Sequence, residues 1–135
     1  MLVDLSVIQR ILTDARTIAV VGLSPKENRP SNMVARYLLE AGFRVIPVNP
    51  GQTEILGQTC YPNLEAIPEQ VDLVDIFRRS EDVLPVVAEA IRIKAKAVWM
   101  QQGIFNEAAA QLARDAGLAV VMDRCLKIDH QGLRH

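Results

Sequence analysis

The sequence predicts a single α/β domain built on a parallel sheet with helices on both faces. Short apolar segments rich in valine and isoleucine recur along the chain, and segments with helical periodicity separate them. The apolar segments lack a regular alternation of polar and apolar residues, which indicates strands that are covered on both faces. The chain has 135 residues, of which 50% are hydrophobic, enough for one domain spanning residues 1–135.

The order of the strands follows from their alternation with helices. Such alternation predicts a parallel sheet with right-handed crossovers, which leaves few topologies. We predict a Rossmann-like, doubly wound sheet of about five strands in the order 3-2-1-4-5. The predicted strands are Thr17–Val21, Arg44–Val48, Leu73–Phe77, Ala97–Met100 and Ala119–Met122.

Apolar residues at helical spacing predict the helices, and polar residues and glycines predict where they begin and end. Ser31 and Asn106 are the expected N-caps of two helices. Gly42 and Gly117 each follow a helix and suit left-handed C-caps that lead into the next strand. The predicted helical segments are residues 5–14, 34–41, 80–90 and 109–116, with one further turn near residues 64–67.

Composition and charge exclude several classes of partner. The formal net charge is −1, which gives no electrostatic footprint for nucleic acid, so an anionic ligand must be held by local cations. Two cysteines do not make a disulfide framework. The N-terminal residues do not resemble a signal peptide, and no apolar stretch approaches the roughly 18 residues of a membrane span. We therefore expect a cytoplasmic protein with no membrane partner.

The loop from Gly22 to Pro30, after the first strand, is the predicted ligand site. Ligands of open α/β sheets bind beyond the carboxyl ends of the strands where the strand order reverses. In the predicted order that point lies between strands one and four. The loop is therefore expected to face the one after strand four, which begins Gln101-Gln102-Gly103.

The residue types in this loop suit a phosphate-bearing ligand. Gly22 permits a sharp turn and a close approach of the ligand to the backbone. The helix that starts near Ser31 offers free N–H groups and the positive end of its dipole. Lys26 and Arg29 supply positive charge, and the hydroxyl groups of Ser24 and Ser31 are further donors.

A dinucleotide such as NAD fits the sequence less well. The fingerprint G-x-G-x-x-G has Ser24 and Glu27 where its second and third glycines are expected. The second strand ends in Val48-Asn49-Pro50, without the acidic residue that binds the ribose. Asn49 remains a possible ribose donor, but the main supports for NAD are missing.

Four segments together resemble the stand-alone bacterial CoA-binding proteins. The fold of that family is also that of the N-terminal domain of the succinyl-CoA synthetase α subunit. The resemblance covers residues 14–130. The segments are IAVVGLSPKENRPSNMVARYLLEAGFRVIPVNP, VDLVDIFRRSEDV, WMQQGI and DRCLKIDH.

The resemblance implies that the ligand is coenzyme A or an acyl-CoA, with its nucleotide end over the first loop. It implies no catalytic residue, because the phosphorylated histidine of the synthetase belongs to a second domain. Whether the chain is an enzyme stays open, with a binding protein favoured. The implied contacts are Gly22, Ser24 and Pro25 in the loop; Lys26 and Arg29 at the phosphates; Val48, Asn49 and Pro50 beside the adenosine; Phe77 and Arg78 after strand three; and Gln101, Gln102 and Gly103 along the pantetheine arm.

Other ionisable and thiol side chains invite alternative roles. Asp75 lies within a buried strand, where a carboxylate needs a partner, so we expect a structural hydrogen bond. Cys125 and His130 offer two of the three or four ligands of a zinc site, with Cys60 as a distant third, and we predict no metal. Cys125 is expected to be a buried apolar residue, although a mixed disulfide with the CoA thiol is a second hypothesis.

Two other functions remain open. One is an NAD(P)-linked or acyl-transfer enzyme, although the sequence shows no Ser-His-Asp set and its histidines, His130 and His135, both lie near the C-terminus. The other is a nucleotide-binding subunit of a larger acyl-CoA ligase, which would require a protein partner that the sequence does not identify.

Overall fold

The computed structural model describes residues 4–133, which form a three-layer α/β domain. Five parallel strands make the central sheet, and two short strands form a separate antiparallel hairpin. The predicted α/β class and Rossmann-like parallel sheet are therefore confirmed. The strands are β1 (Thr17–Val21), β2 (Arg44–Val48), β3 (Glu54–Ile55), β4 (Gln58–Thr59), β5 (Leu73–Ile76), β6 (Ala97–Met100) and β7 (Ala119–Val121).

Helices cover both faces of the sheet. Helices α1, α2 and α5 pack on one face, and α3, α4 and the first 3-10 turn pack on the other. None of the helices in residues 4–133 is long and apolar enough to cross a membrane. The helices are α1 (Leu5–Asp14), α2 (Pro30–Glu40), α3 (Val83–Arg92), α4 (Glu107–Asp115) and α5 (Leu126–Leu133), with 3-10 turns at Leu64–Ala66 and Ser80–Asp82.

Strand β1 shows why the apolar segments do not alternate with polar residues. Ile18 and Val20 belong to the core beneath α1, α2 and α5, whereas Ala19 and Val21 belong to the core beneath α3 and α4. Successive side chains of a strand point to opposite faces, and here both faces are buried. Every position of the strand therefore favours an apolar residue.

The predicted strand order 3-2-1-4-5 is wrong. The sheet runs β2-β1-β5-β6-β7, which is 2-1-3-4-5 when its strands are counted along the chain. The reason is Pro47 in β2, whose carbonyl accepts the Tyr61 N–H at 3.1 Å on the outer side of the strand. The Pro47 nitrogen lies on that same side and has no hydrogen to donate, which restricts β2 to the edge of the sheet. The third strand, β5, pairs with the free side of β1 instead.

This order moves the point at which the connections diverge. The chain leaves β1 toward β2 on one side and returns from β2 to β5 on the other. Ligands of sheets in this order also bind where the direction of winding reverses. The crevice therefore lies between the loops after β1 and β5, one strand away from the predicted place.

The predicted helix caps are confirmed with one exception. Asn106 caps α4 through its Oδ1, which accepts the Ala109 N–H at 2.9 Å. Gly42 and Gly117 have φ of 97° and 88°, as expected of left-handed C-caps. Ser31, by contrast, is not an N-cap but lies in the first turn of α2, because Pro30 takes the first helical position.

Two elements are additional to the predicted ones. The β3–β4 hairpin turns at Leu56 and Gly57, whose φ values of 55° and 74° fit a two-residue hairpin turn. Leucine in such a turn is unusual, so the residue types of this segment do not predict the hairpin. Helix α5 contains the last part of DRCLKIDH and packs against α1 and α2.

Asp75 occupies the middle of the sheet without the expected hydrogen bond. It lies between Val20 and Trp99 in register, and its side chain is fully buried. Neither carboxylate oxygen has a hydrogen-bond partner among the described residues. Burial raises the pKa of Asp75 well above its usual value, so the carboxyl group is held in its neutral form.

The buried carboxyl of Asp75 makes stability depend on pH. Its pKa is higher in the folded chain than in the unfolded chain, where an aspartate titrates near about 3.9. The contribution of Asp75 to stability is therefore greatest below that pH and falls as the pH rises through the pKa of Asp75 in the folded chain. Relative to the wild type, we expect Asp75→Asn to gain up to about 1.4 kcal/mol in its free energy of unfolding for each pH unit above about 3.9. Urea unfolding of both proteins between pH 4 and pH 8 measures this, and parallel pH profiles would contradict it.

Candidate functional site

An open crevice of about 440 Å³ lies at the carboxyl end of the sheet between β1 and β5. Its volume is within the usual range of small-molecule sites. One wall is the loop after β1 with the start of α2, and the other includes the residue after β5. The lining residues are Gly22, Ser24, Lys26, Arg29, Pro30, Ser31 and Phe77.

Gly22 brings the two walls into contact. Its φ is 86°, a conformation that side chains other than glycine rarely adopt. A Cβ at this position would overlap the Phe77 carbonyl oxygen and would lie 3.2 Å from Arg78 Nη1. Only glycine therefore allows the loop after β5, with its arginine, to close on the turn after β1.

Polar side chains hold the backbone on either side of this turn. The Ser24 N–H donates to Ser31 Oγ at 3.0 Å, and Asn32 Nδ2 donates to the Ser24 carbonyl at 2.9 Å. Asn49 Nδ2 donates to the carbonyl of Leu23 at 3.0 Å. The loop is long and polar, yet its inner backbone is fixed from both α2 and the end of β2.

The first turn of α2 faces the crevice without a capping side chain. Arg29 is the N-cap residue and makes no side-chain hydrogen bond to the helix. Pro30 occupies the first helical position, and the next residue, Ser31, lines the crevice. The positive end of the helix dipole is thus directed to a place that an anion can occupy.

Three cations lie at or beside the crevice. Lys26 and Arg29 line the crevice, and the guanidinium of Arg78 lies beside Gly22. Within residues 4–133, no ion pair involves any of the three. The neighbouring Arg79 differs, since it pairs with Asp82 at 3.0 Å and Glu81 at 4.0 Å.

This arrangement suits an anion with more than one charge. Unpaired arginine and lysine side chains provide charge-assisted donors, which are stronger than neutral ones. The uncapped first turn of α2 adds the positive end of its helix dipole at the same place. The crevice is therefore chemically suited to a phosphate group, and its lining residues include no carboxylate, imidazole or thiol.

Val48, Asn49 and Pro50 support the first loop and do not line the crevice. The Val48 carbonyl accepts the Gly22 N–H at 2.9 Å. The amide of Asn49 is engaged at both ends, because its Oδ1 also accepts the Gly51 N–H at 2.9 Å. Pro50 is exposed. A contact between these residues and an adenosine stays a prediction from the resemblance.

Gln101, Gln102 and Gly103 lie one strand further from β1 than predicted. They follow β6, and β5 separates β6 from β1. The side chain of Gln101 is buried, and its Oε1 accepts the Leu126 N–H at 3.3 Å. Gln102 and Gly103 are exposed outside the crevice. Their contact with a pantetheine arm remains a prediction.

The two aromatic residues near the carboxyl end of the sheet have different positions. Phe77 is half-buried and lines the crevice, so it is available to a ligand. Trp99 is fully buried, and its Nε1 donates to the Arg124 carbonyl at 2.8 Å. Trp99 is therefore a core residue and is not available to a ligand.

The cysteines and His130 lie outside the crevice. Cys60 is buried, and its burial raises the pKa of the thiol, which makes it a poor nucleophile at neutral pH. His130 Nδ1 is hydrogen-bonded to the Tyr37 hydroxyl at 2.6 Å, which joins α5 to α2. No group of three or more His, Cys, Asp or Glu side chains within residues 4–133 is placed to hold a metal ion. The mixed disulfide at Cys125 stays a hypothesis.

A smaller cavity of about 130 Å³ lies at the opposite, amino end of the sheet. Arg10, Asp14, Asp72 and Lys96 contribute charges of both signs to its lining. Asp72 already accepts the N–H groups of Arg16 and Thr17 at 2.9 Å and lies 3.8 Å from Lys96 Nζ. These charges partly neutralise each other, so the cavity is less suited to a polyanion than the crevice.

Sequence reasoning missed Asn32, which is 1% exposed and holds the first loop through Ser24. The sequence contains a signal for this role, because Asn32 lies on the same core-facing side of α2 as the apolar residues Val34 and Ala35. Buried polar residues are usually retained for a specific hydrogen bond.

Comparison with known proteins places the chain among CoA-binding domains. A family model described as "CoA binding domain" matches residues 16–131. An uncharacterized Bacillus subtilis (strain 168) protein, YneT, is 42% identical over 123 residues, which is 91% of each chain. The structure of a hypothetical protein from Pyrococcus horikoshii OT3 has a TM-score of 0.95 at 41% identity and covers 98% of this chain and 94% of that chain.

A larger enzyme contains a similar segment. The acetate–CoA ligase [ADP-forming] I of Archaeoglobus fulgidus is 34% identical over 99 residues. The match covers 73% of this chain and only 14% of the ligase, so most of the ligase has no counterpart in this chain.

The contact between Gly22 and Phe77 predicts unequal effects of alanine at two glycines. Gly42→Ala introduces a side chain at positive φ where no other atom lies within 4 Å, and should cost about 1–2 kcal/mol. Gly22→Ala adds the overlap with Phe77 to the same strain, so its urea midpoint should be clearly lower than that of Gly42→Ala. Equal midpoints would show that the two loops are not in contact.

Proposed function

This chain belongs to the CoA-binding domain family, and we propose that it binds coenzyme A, free or acylated, in the crevice between β1 and β5. One observation carries the proposal. Lys26 and Arg29 line the crevice at an uncapped helix end, Arg78 lies beside the glycine turn at Gly22, and no acidic side chain of the described residues pairs with any of the three.

The chemistry of CoA suits this site. Its nucleotide end carries a diphosphate and a 3′-phosphate, and the crevice presents several separate cations. Because the formal net charge of the chain is −1, long-range attraction cannot replace these local contacts. Phe77 adds an apolar surface within the same wall for the uncharged parts of the ligand.

The alternative of NAD has less support. Ser24 and Glu27 replace two glycines of the dinucleotide fingerprint. Asn49 is the residue available for a ribose at the end of β2, and its amide already bonds the backbone of Leu23 and Gly51. An acid that would accept the ribose hydroxyls is missing from that position.

We propose a binding role without catalysis by this chain alone. The crevice lining holds no carboxylate, imidazole or thiol, and its two serine hydroxyls accept backbone N–H groups of the same loop. The expected cytoplasmic location is part of this proposal. The similarity to acetate–CoA ligase favours one second candidate, a CoA-binding part of a larger ligase. Formation of ADP from ATP, acetate and CoA by the purified chain alone would overturn the binding-only role.

Isothermal titration calorimetry with CoA, ADP and NAD tests the ligand. We expect CoA to bind more tightly than ADP, because only CoA adds the 3′-phosphate and the pantetheine arm, and NAD to bind weakest. Binding of NAD without binding of CoA would contradict the proposal and favour the enzyme hypothesis.

The cations of the first loop predict a specific loss of affinity. Lys26→Ala/Arg29→Ala should weaken CoA binding at least about tenfold, since hydrogen bonds to charged groups contribute about 1.5–3 kcal/mol each. The matched control is Lys94→Ala/Arg114→Ala, which removes the same charge from exposed positions outside the crevice. The control should bind within about twofold of the wild type. Equal losses in both double variants would mean that overall charge, and not the crevice, determines affinity.

A further inference from the structure

We propose that Asn32 is a positioning residue for ligand binding: it holds the first loop in its binding conformation at a cost to the stability of the fold. The inference rests on the proposed function, because it concerns the same crevice. Asn32 does not line the crevice and acts through the backbone of Ser24.

Consecutive residues of α2 hold both backbone polar groups of Ser24. Ser31 Oγ accepts the Ser24 N–H at 3.0 Å, and Asn32 Nδ2 donates to the Ser24 carbonyl at 2.9 Å. The Ser24 hydroxyl in turn accepts the Lys26 N–H at 3.1 Å. The peptide groups that present Ser24 and Lys26 to the crevice are thus fixed to the helix whose first turn forms the same wall.

The oxygen end of the Asn32 side-chain amide lowers the stability of the folded state. Its Oδ1 is buried and has no hydrogen-bond partner among the described residues, and the whole residue is 1% exposed. A buried acceptor without a donor destabilises the folded state. An apolar residue of similar size would avoid that cost, and the adjacent core residues Val34 and Ala35 are apolar. The hydrogen bond at one end of the amide and the unsatisfied acceptor at the other offset each other, so stability alone gives asparagine little advantage at this position.

Ligand binding explains the asparagine. The residues from Ser24 to Arg29 form a polar loop that is mostly exposed and includes two of the three cations of the site. A loop that is ordered only when the ligand binds loses conformational entropy at that moment, whereas a loop fixed in advance does not. Asn32 removes part of that cost by anchoring the start of the loop.

Asn49 differs from Asn32 in this respect. It anchors the preceding residue, Leu23, but both ends of its amide are satisfied, by the Leu23 carbonyl and the Gly51 N–H. Its contribution to binding cannot be separated from its contribution to stability. At Asn32, by contrast, the side chain favours ligand binding but its unsatisfied oxygen lowers the stability of the fold, so the two contributions can be separated.

The first test compares two asparagines by CoA calorimetry and urea unfolding. Asn32→Leu removes the donor while approximately keeping the volume, and should weaken CoA binding about tenfold with an unchanged or raised urea midpoint. The control is Asn63→Ala, which removes the cap of the Leu64–Ala66 turn, away from the crevice lining. It should lower the urea midpoint and leave CoA affinity unchanged.

The result that would overturn the inference is equally specific. An Asn32→Leu variant that binds CoA within twofold of the wild type shows that the anchor does not matter for binding. A variant that fails to fold, or is less stable than Asn63→Ala, assigns Asn32 to the stability of the fold.

The second test restores the donor by a change of pH. Asn32→Asp keeps the shape, but an ionised carboxylate repels the Ser24 carbonyl, whereas a protonated carboxyl can donate to it. Burial at this position should raise the pKa of the introduced carboxyl, so we expect the CoA dissociation constant of Asn32→Asp, relative to that of the wild type at the same pH, to approach one as the pH is lowered to 5. A ratio at pH 5 equal to that of Asn32→Leu would contradict the role of the donor.

These outcomes separate the inference from the proposed function. If the wild type does not bind CoA at all, the proposed function fails. If the wild type binds CoA and the Asn32 variants bind equally well, only the positioning role fails.

Discussion

The position of one proline determines where this protein can hold a ligand. Pro47 cannot donate a hydrogen bond from the outer side of β2, and its carbonyl there pairs with the irregular segment at Tyr61. Because β2 must be an edge strand, the next strand of the sheet pairs with the other side of β1. The crevice follows from this order, since it opens where the connections from β1 and to β5 diverge.

The crevice then depends on a contact that only glycine permits. Gly22 touches the carbonyl of Phe77, which brings Arg78 to the same place as Lys26 and Arg29. Asn32 in α2 and Asp75 in β5 are buried polar residues, and both carry side-chain oxygen atoms that have no hydrogen-bond partner among the described residues. Unsatisfied groups close to a binding site are consistent with a fold that sacrifices some stability for function; for Asp75 the geometry assigns no such role.

The sequence is sufficient to predict the architecture but not to predict which strands pair and which loops are in contact. Apolar segments such as Thr17–Val21 and helix ends such as Asn106 depend on local patterns, and the structure confirms them. Strand order depends on pairing between distant segments. Pro47 is a local indication that β2 is an edge strand, and the predicted order does not take it into account. Contacts such as Asn32 with Ser24 depend on the exact course of a loop, which composition does not specify. The loop after β1 forms a wall of the crevice. The opposite wall follows β5, whereas the predicted one follows β6, one strand further away.

The central claim is that CoA occupies the crevice between β1 and β5. Titration of the ¹⁵N-labelled chain with CoA, followed by the backbone amide resonances, tests it most directly. We predict that the largest shift changes lie in residues 22–32 and at Phe77 and Arg78. Changes centred on residues 101–105, or on the cavity near Arg10 and Lys96 at the amino end of the sheet, would contradict the account.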